Sequence, residues 1–171
     1  MILGARPGHG KTQLGLGLTV EAMKSGRQGA FFTLEYSATD VLDLFKSIGE
    51  DAANFCDAFK LDTSNQINAE YIMAQLSTVS KGTIVVIDYL QLLDQKRENP
   101  ELSTQVRALK SFARERGLVM VFLSQIDRSY ISSAGIFPTL DDVRLPNPLD
   151  LTLFNKACFL HDGKLQFSAS V

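Results

Sequence analysis

The residues best suited to chemistry stand at the head of the chain, in Met1-Ile2-Leu3-Gly4-Ala5-Arg6-Pro7-Gly8-His9-Gly10-Lys11-Thr12. Gly8 and Gly10 let the backbone turn so that successive N–H groups point inward. Lys11 supplies a cation for β- and γ-phosphates, and Thr12 offers a hydroxyl to Mg²⁺. The strict pattern asks for Gly where this chain has Ala5. The apolar lead-in, the Pro7-Gly8 pair and the Gly-Lys-Thr ending nevertheless agree on one geometry, a short strand entering a phosphate-binding loop. A plain glycine turn before an ordinary helix would leave Lys11 unexplained. A helix that starts at Lys11 aims its positive dipole end at the same anion. Arg6, Pro7, Gly8, His9, Gly10, Lys11, Thr12 and Gln13 are therefore the expected nucleotide contacts, with ATP and Mg²⁺ as the ligands.

Three apolar runs downstream each end in a polar residue. Residues 30–34 lead to Glu35, residues 83–87 to Asp88, and residues 118–123 to Ser124 and Gln125. Asp88 has the place of a Walker B aspartate that holds Mg²⁺. A strand-capping carboxylate is the alternative, and the metal role is preferred because the phosphate loop already calls for such a partner. Glu35 is placed to act as general base on the water that attacks the γ-phosphate, or else is a solvated strand-end carboxylate. Gln125 is placed to hydrogen-bond the γ-phosphate, and spacing alone does not decide whether it does.

These residues need a scaffold, and the rest of the chain supplies the pattern of one. Helices are expected over 12–24, with Leu14, Leu18 and Met23 inward, and after the capping box Ser37-Ala38-Thr39-Asp40. Two more are expected over 68–79, with Ile72, Met73 and Leu76 inward, and over 101–116, where Leu102, Val106, Leu109 and Ala113 form one stripe. Residues 59–62 add a strand. Residues 151–160 and 164–168 read as extended runs joined by the turn His161-Asp162-Gly163. Unbroken apolar strands separated by amphipathic helices indicate an α/β fold with a mainly parallel sheet, covered on both faces and ending in a hairpin. Ligands bind such sheets beyond the carboxyl ends of the strands.

Composition bounds the class. The chain has 171 residues, 45% hydrophobic and 21% charged, which suits one soluble domain spanning residues 1–171. No apolar run is long enough for a membrane span and no basic, apolar leader opens the chain, so a cytoplasmic protein is expected. Cys56 and Cys158 lie far apart beside only two histidines, which supports neither a disulfide framework nor a zinc site. Both cysteines are expected to be buried. A net charge of −2 argues against coating nucleic acid by bulk charge.

Five segments occur in the order seen in the C-terminal domain of DnaB-type replicative DNA helicases. They are residues 5–12, Phe32-Thr33-Leu34-Glu35-Tyr36-Ser37, residues 84–92, residues 109–115, and Leu123-Ser124-Gln125-Ile126-Asp127-Arg128-Ser129. Asp142-Val143-Arg144 is similar to a further piece, and Tyr89-Leu90-Gln91 after Asp88 is the most specific. The resemblance implies a RecA-like P-loop NTPase, with ATP held between subunits of a homo-oligomeric ring that works with replisome proteins. It implies Lys11 and Thr12 as phosphate and Mg²⁺ contacts, Asp88 as the Mg²⁺ carboxylate, Glu35 as catalytic base and Gln125 as coupling sensor. It also implies that residues 94–102 and 127–141 face single-stranded DNA, with Lys96, Arg97 and Arg128 as contacts.

Two departures set limits on that expectation. The chain opens on the first core strand, where the family has a separate N-terminal domain and a linker helix that docks on the neighbouring subunit. The family's Lys-x-Arg finger has its nearest counterpart in Lys156-Ala157-Cys158, with Cys in place of Arg. Such a finger is worth on the order of 10³–10⁵ in rate, so a slow ATPase is expected unless Arg144 or Lys164 substitutes. An accessory or remnant nucleotide-binding module without unwinding activity is the alternative. A recombinase-like or clock-type RecA relative fits the run after Asp88 less well. On the helix of residues 101–116, Arg107, Lys110 and Arg114 form a cationic stripe, which either touches phosphates or, as preferred, is a solvated face. Tyr130 is either a base-stacking or a locally packed residue.

Overall fold

A computed structural model describes residues 1–94, 96, 98–127, 130, 137–145 and 147–169. Seven strands form one sheet in the order β3-β2-β4-β5-β1-β6-β7. They are β1 (Ile2–Ala5), β2 (Gly29–Thr33), β3 (Phe59–Asp62), β4 (Ile84–Asp88), β5 (Val119–Gln125), β6 (Lys156–His161) and β7 (Lys164–Ala169). All neighbours are parallel except β6 and β7, which form the expected terminal hairpin. Among the described residues four α-helices cover it: α1 (Lys11–Lys24), α2 (Ala38–Ser47), α3 (Ala69–Gln75) and α4 (Leu102–Arg116). Among the described residues no helix is long and apolar enough to cross a membrane.

Each central strand feeds two cores, because successive side chains point to opposite faces. Phe31, Val86, Val121 and Leu123 pack with Leu16, Val20 and Met23 of α1 and with Val41 and Phe45 of α2. On the other face Phe32, Val85, Ile87 and Phe122 pack with Ile72 of α3 and with Leu102, Val106, Leu109 and Ala113 of α4. Burial on both faces is why these strands read as continuous apolar runs. The α4 stripe is thus where its period places it, and Gly117, at φ 67°, stops the helix in a left-handed cap.

Helix α1 turns a different face inward from the expected one. Leu14 and Leu18 are only half-buried, while Gly15, Leu16, Thr19, Val20 and Met23 are buried. Small residues win the closest positions because the helix lies directly on the sheet; a Cβ on Gly15 would stand 2.9 Å from Leu123 Cδ1. A methyl on Gly29 would overlap Thr19 Cγ2, whereas one on Gly17 meets nothing within 4 Å. Gly29→Ala should therefore lower stability by about 1–3 kcal/mol through overpacking. Gly17→Ala should raise it by about 0.5–1 kcal/mol through helix propensity. Denaturant midpoints of the two variants should move in opposite directions, and a stabilising Gly29→Ala would refute this packing.

Other differences have local causes. Helix α3 ends at Gln75 and not at residue 79, with Asn68 as its N-cap accepting from the Tyr71 N–H at 2.9 Å. Ile72 and Leu76 are buried as expected, and Met73 is half-buried. Residues 151–153 form a 3-10 turn, so the penultimate strand starts only at Lys156. Cys158 is buried but Cys56 is exposed, just after a 3-10 turn that packs outside the sheet. Gln105 on α4, 2% exposed, accepts from the Ala69 N–H and donates to the carbonyls of Leu93 and Pro100. One amide thereby ties α3, α4 and the connector after β4 together.

Candidate functional site

Parallel register carries the ends of β1, β4 and β5 to one edge of the sheet. Ala5 pairs with Gln125, Asp88 with Leu123 and Thr33 with Asp88. Strand β5 lies between β1 and β4, so Gln125 stands between the loop and the Asp88 strand. The loop after β1 turns through Gly8 at φ 78° and Gly10 at φ 83°, values open to glycine at no steric cost. Gly10 occupies the N-cap of α1, and no side chain caps that helix. The first-turn N–H groups are left for an anion.

Glu35 is positioned from both sides. Its N–H donates to Thr33 Oγ1 at 3.1 Å, with Thr33 fully buried at the end of β2. Two residues later the capping box closes: Ser37 Oγ accepts from the Asp40 N–H at 3.2 Å, and Asp40 Oδ2 accepts from the Ser37 N–H at 2.8 Å. Strand end and helix start are thus fixed on either side of the short connector that carries Glu35.

At the centre is a buried charge cluster. Lys11 Nζ donates to Asp88 Oδ1 at 2.5 Å and lies 3.8 Å from Glu35 Oε2. Thr12 Oγ1 donates to Asp88 Oδ2 at 2.8 Å. Asp88 is fully buried, while the Glu35 side chain is 33% exposed. Burial raises the Glu35 pKa, Lys11 opposes that rise and Asp88 adds to it. The Lys11 ammonium also sits 5.4 Å from the centre of the Tyr89 ring. A hydroxyl and a carboxylate meeting at Asp88 and Thr12 give the hard oxygen donors that Mg²⁺ takes, so these residues fit that ion.

Around the cluster opens a cleft of about 330 Å³ lined by Arg6, Pro7, Gly8, Gly10, Lys11, Thr12, Gln13, Glu35, Tyr36, Leu44 and Gln125. Of the expected nucleotide contacts, His9 alone is outside that lining; its N–H donates to the Arg6 carbonyl at 3.2 Å and its ring stacks on His161. Gln13 reaches Ser47 Oγ of α2 at 3.1 Å. Gln125 is held through its backbone, its carbonyl accepting from the Arg144 N–H at 2.8 Å. Asp142-Val143-Arg144 therefore lies beside the cleft, with Val143 bridging Ile126.

Gln91, to which residue type and spacing assign no role, is a further polar residue beside the cleft. Its side chain is 7% exposed and donates to Ser124 Oγ at 3.3 Å and to the Arg144 carbonyl, tying the segment after β4 to the end of β5. Its place in the Tyr89-Leu90-Gln91 run was the available signal.

The expected finger position falls in the wrong place. Cys158 is 1% exposed, pairs with Leu3 and packs in the core, where burial pushes its thiol pKa up. Lys156 starts β6, at the end of the sheet opposite the loop. Arg144 and Lys164 are exposed and lie at the loop end. Of the expected DNA contacts Lys96 is exposed, and Arg97 and Arg128 lie outside the described residues. Tyr130 packs edge-on to His161 with ring centres 6.1 Å apart. Arg107, Lys110 and Arg114 face outward on α4, Arg107 lying 4.0 Å from Asp150.

Known structures share this architecture. A DnaB-like replicative helicase, solved in a study of its interactions with primase, gives a TM-score of 0.73 at 20% identity over 92% of this chain and 46% of that one. A separately solved ATPase domain superposes with a TM-score of 0.72 at 22% identity, covering 94% of this chain and 68% of that one. A KaiC-like protein from Pyrococcus horikoshii gives 0.68 at 16% identity, covering 99% of this chain and 78% of that one. The fold and its loop define a RecA-like P-loop NTPase domain. A family model of the DnaB-like helicase C terminal domain matches residues 45–147, and the chain belongs to that family. The replicative DNA helicase DnaB of Synechocystis is 30% identical over 180 residues, which cover 84% of this chain and 20% of that protein. The DnaB of Helicobacter pylori is 29% identical over 190 residues, covering 90% and 39%. The chain thus spans from a fifth to two fifths of the length of these relatives.

Proposed function

We propose that this chain is, as a single domain, the ATP-hydrolysing motor of a DnaB-type replicative helicase, coupling hydrolysis in the cytoplasm to movement on single-stranded DNA. The observation that carries this is the convergence of Lys11, Thr12, Glu35 and Asp88 at the carboxyl edge of the sheet. Lys11 and the first N–H groups of α1 bind the β- and γ-phosphates. Thr12 and Asp88 hold Mg²⁺, which supplies charge neutralisation on the phosphate oxygens. Glu35 orients a water for in-line attack and accepts its proton. Gln125 contacts the γ-phosphate and, through the Arg144 backbone and Gln91, links the cleft to the segment Asp142-Val143-Arg144; residues 127–141 precede that segment. Those residues and Lys96, Arg97 and Arg128 are proposed to meet DNA within a homo-oligomeric ring, in the company of replisome proteins.

A second reading rests on Cys158. With no arginine in the Lys156-Ala157-Cys158 register and Cys158 itself in the core, the chain is instead a nucleotide-binding module without unwinding activity. Measuring ATP hydrolysis over a range of protein concentrations, with and without single-stranded DNA and with mass followed by light scattering, separates the two. The motor reading expects turnover that rises with concentration and DNA as an oligomer grows. Flat, negligible turnover in a monomer that still binds ATP overturns it in favour of the module.

A further inference from the structure

The middle residue of the phosphate loop turns away from the cleft and toward the carboxyl end of β6, which lies at the same edge of the sheet. There His9 meets His161, the last residue of that strand, and Asp162 of the hairpin turn; the ligand atoms of all three lie within 4.8 Å of one another. We propose that His9, His161 and Asp162 form a binding site for a transition-metal ion of the Zn²⁺ class, which fastens the phosphate loop to the β6–β7 hairpin.

The donor set is the first argument. Two imidazoles and a carboxylate suit Zn²⁺ and its neighbours, and they disfavour Mg²⁺, which prefers oxygen in octahedral geometry. Tetrahedral ligands at about 2.0–2.1 Å from zinc stand about 3.4 Å from one another. His161 Nε2 and Asp162 Oδ2 already lie 3.5 Å apart. The two imidazole rings are parallel to within 7° with centres 6.1 Å apart, and His9, in a glycine-flanked loop, can swing its nitrogen inward.

Preorganisation is the second argument. His161 is 5% exposed, with the Tyr130 and Phe137 rings set edge-on at 6.1 and 5.9 Å, so its imidazole is fixed by packing. Asp162 takes φ 47°, a left-handed value that aspartate tolerates, and this turn brings its carboxylate back beside His161. The sequence offered no zinc spacing because the ligands come from opposite ends of the chain; strand pairing between β1 and β6 brings them together. An ion held here restrains the loop at the one residue between its two left-handed glycines. The site stands whether or not the chain hydrolyses ATP or binds DNA.

Titrating the full chain with Zn²⁺ by calorimetry, and with Co²⁺ by visible absorption, tests the proposal. One ion per chain is expected, at neutral pH and in excess Mg²⁺, with the intense tetrahedral Co²⁺ spectrum. His9→Gln and Asp162→Asn should each weaken binding by about tenfold or more. Asn tolerates the left-handed turn, and neither residue is buried, so both variants should fold. Cys56→Ser, which removes the exposed thiol, should bind as the wild type does. Absence of binding, a pale octahedral Co²⁺ spectrum in the unaltered chain, wild-type affinity in both His9→Gln and Asp162→Asn, or loss of binding in Cys56→Ser would each overturn the site.

Discussion

Glu35→Gln should lower ATP turnover by a factor on the order of 10²–10⁴ while leaving the ATP-dependent rise in melting temperature intact. In the proposed mechanism the carboxylate accepts a proton, and the amide keeps the size and hydrogen-bonding shape of the side chain without that basicity. Binding should survive, because on the proposed reading Lys11 and the start of α1, and not Glu35, hold the phosphates. The pH dependence gives a second readout. Burial raises the Glu35 pKa above its ordinary 4.5, with Lys11 opposing and Asp88 adding, so the acid limb of turnover should lie at higher pH than for an ordinary glutamate. The same shift acts on stability. A raised folded-state value means the folded protein holds the proton more tightly than the unfolded chain. That contribution is complete below the unfolded value and is lost as pH rises through the folded one. Wild type should therefore lose stability relative to Glu35→Gln across that window. Turnover in Glu35→Gln within threefold of wild type would leave Glu35 as a solvated strand-end carboxylate.

That such a prediction can be written from residue types alone reflects which features are local. Asp88 and Gln125 at the ends of β4 and β5, and Glu35 two residues beyond the end of β2, were legible because a strand buried on both faces reads as an unbroken apolar run, and the polar residues that follow mark the edge of the sheet. The box at Ser37 was legible because both its hydrogen bonds join residues three apart. What stayed hidden depends on distant contacts. Leu14 and Leu18 looked inward on hydrophobicity, yet the place against Leu123 belongs to Gly15, because close approach of helix and sheet excludes a large side chain. The finger was sought at Cys158 by motif similarity, but strand register puts Cys158 beside Leu3, three residues short of the strand end at His161. Gln91 and Gln105 gave no periodic signal, because each is buried to satisfy carbonyls that only the folded connectors bring within reach.

Lys11→Met should produce two separable losses. The first is stability without nucleotide. Asp88 is fully buried and its close cationic partner is Lys11 at 2.5 Å, so removing the ammonium leaves a carboxylate whose remaining side-chain hydrogen-bond donor among the described residues is the Thr12 hydroxyl. Breaking a buried pair from one side costs about 3–5 kcal/mol, read as a drop in the denaturant midpoint, and methionine keeps the apolar stem in place so that the charge is what is tested. Asp88→Asn should cost less, because Lys11 is left with Glu35 at 3.8 Å. Combining the two substitutions removes both charges, and stability should return close to that of wild type. The second loss is nucleotide recognition. Mg²⁺-ATP should raise the melting temperature of wild type but not that of Lys11→Met or of the double variant, since both lack the Lys11 ammonium that is proposed to meet the β- and γ-phosphates. The double variant separates the two effects, being folded and unresponsive to ATP. A full ATP-dependent shift in Lys11→Met would refute the phosphate-loop assignment, and an equally unstable double variant would show that the Lys11–Asp88 pair does not carry the first loss.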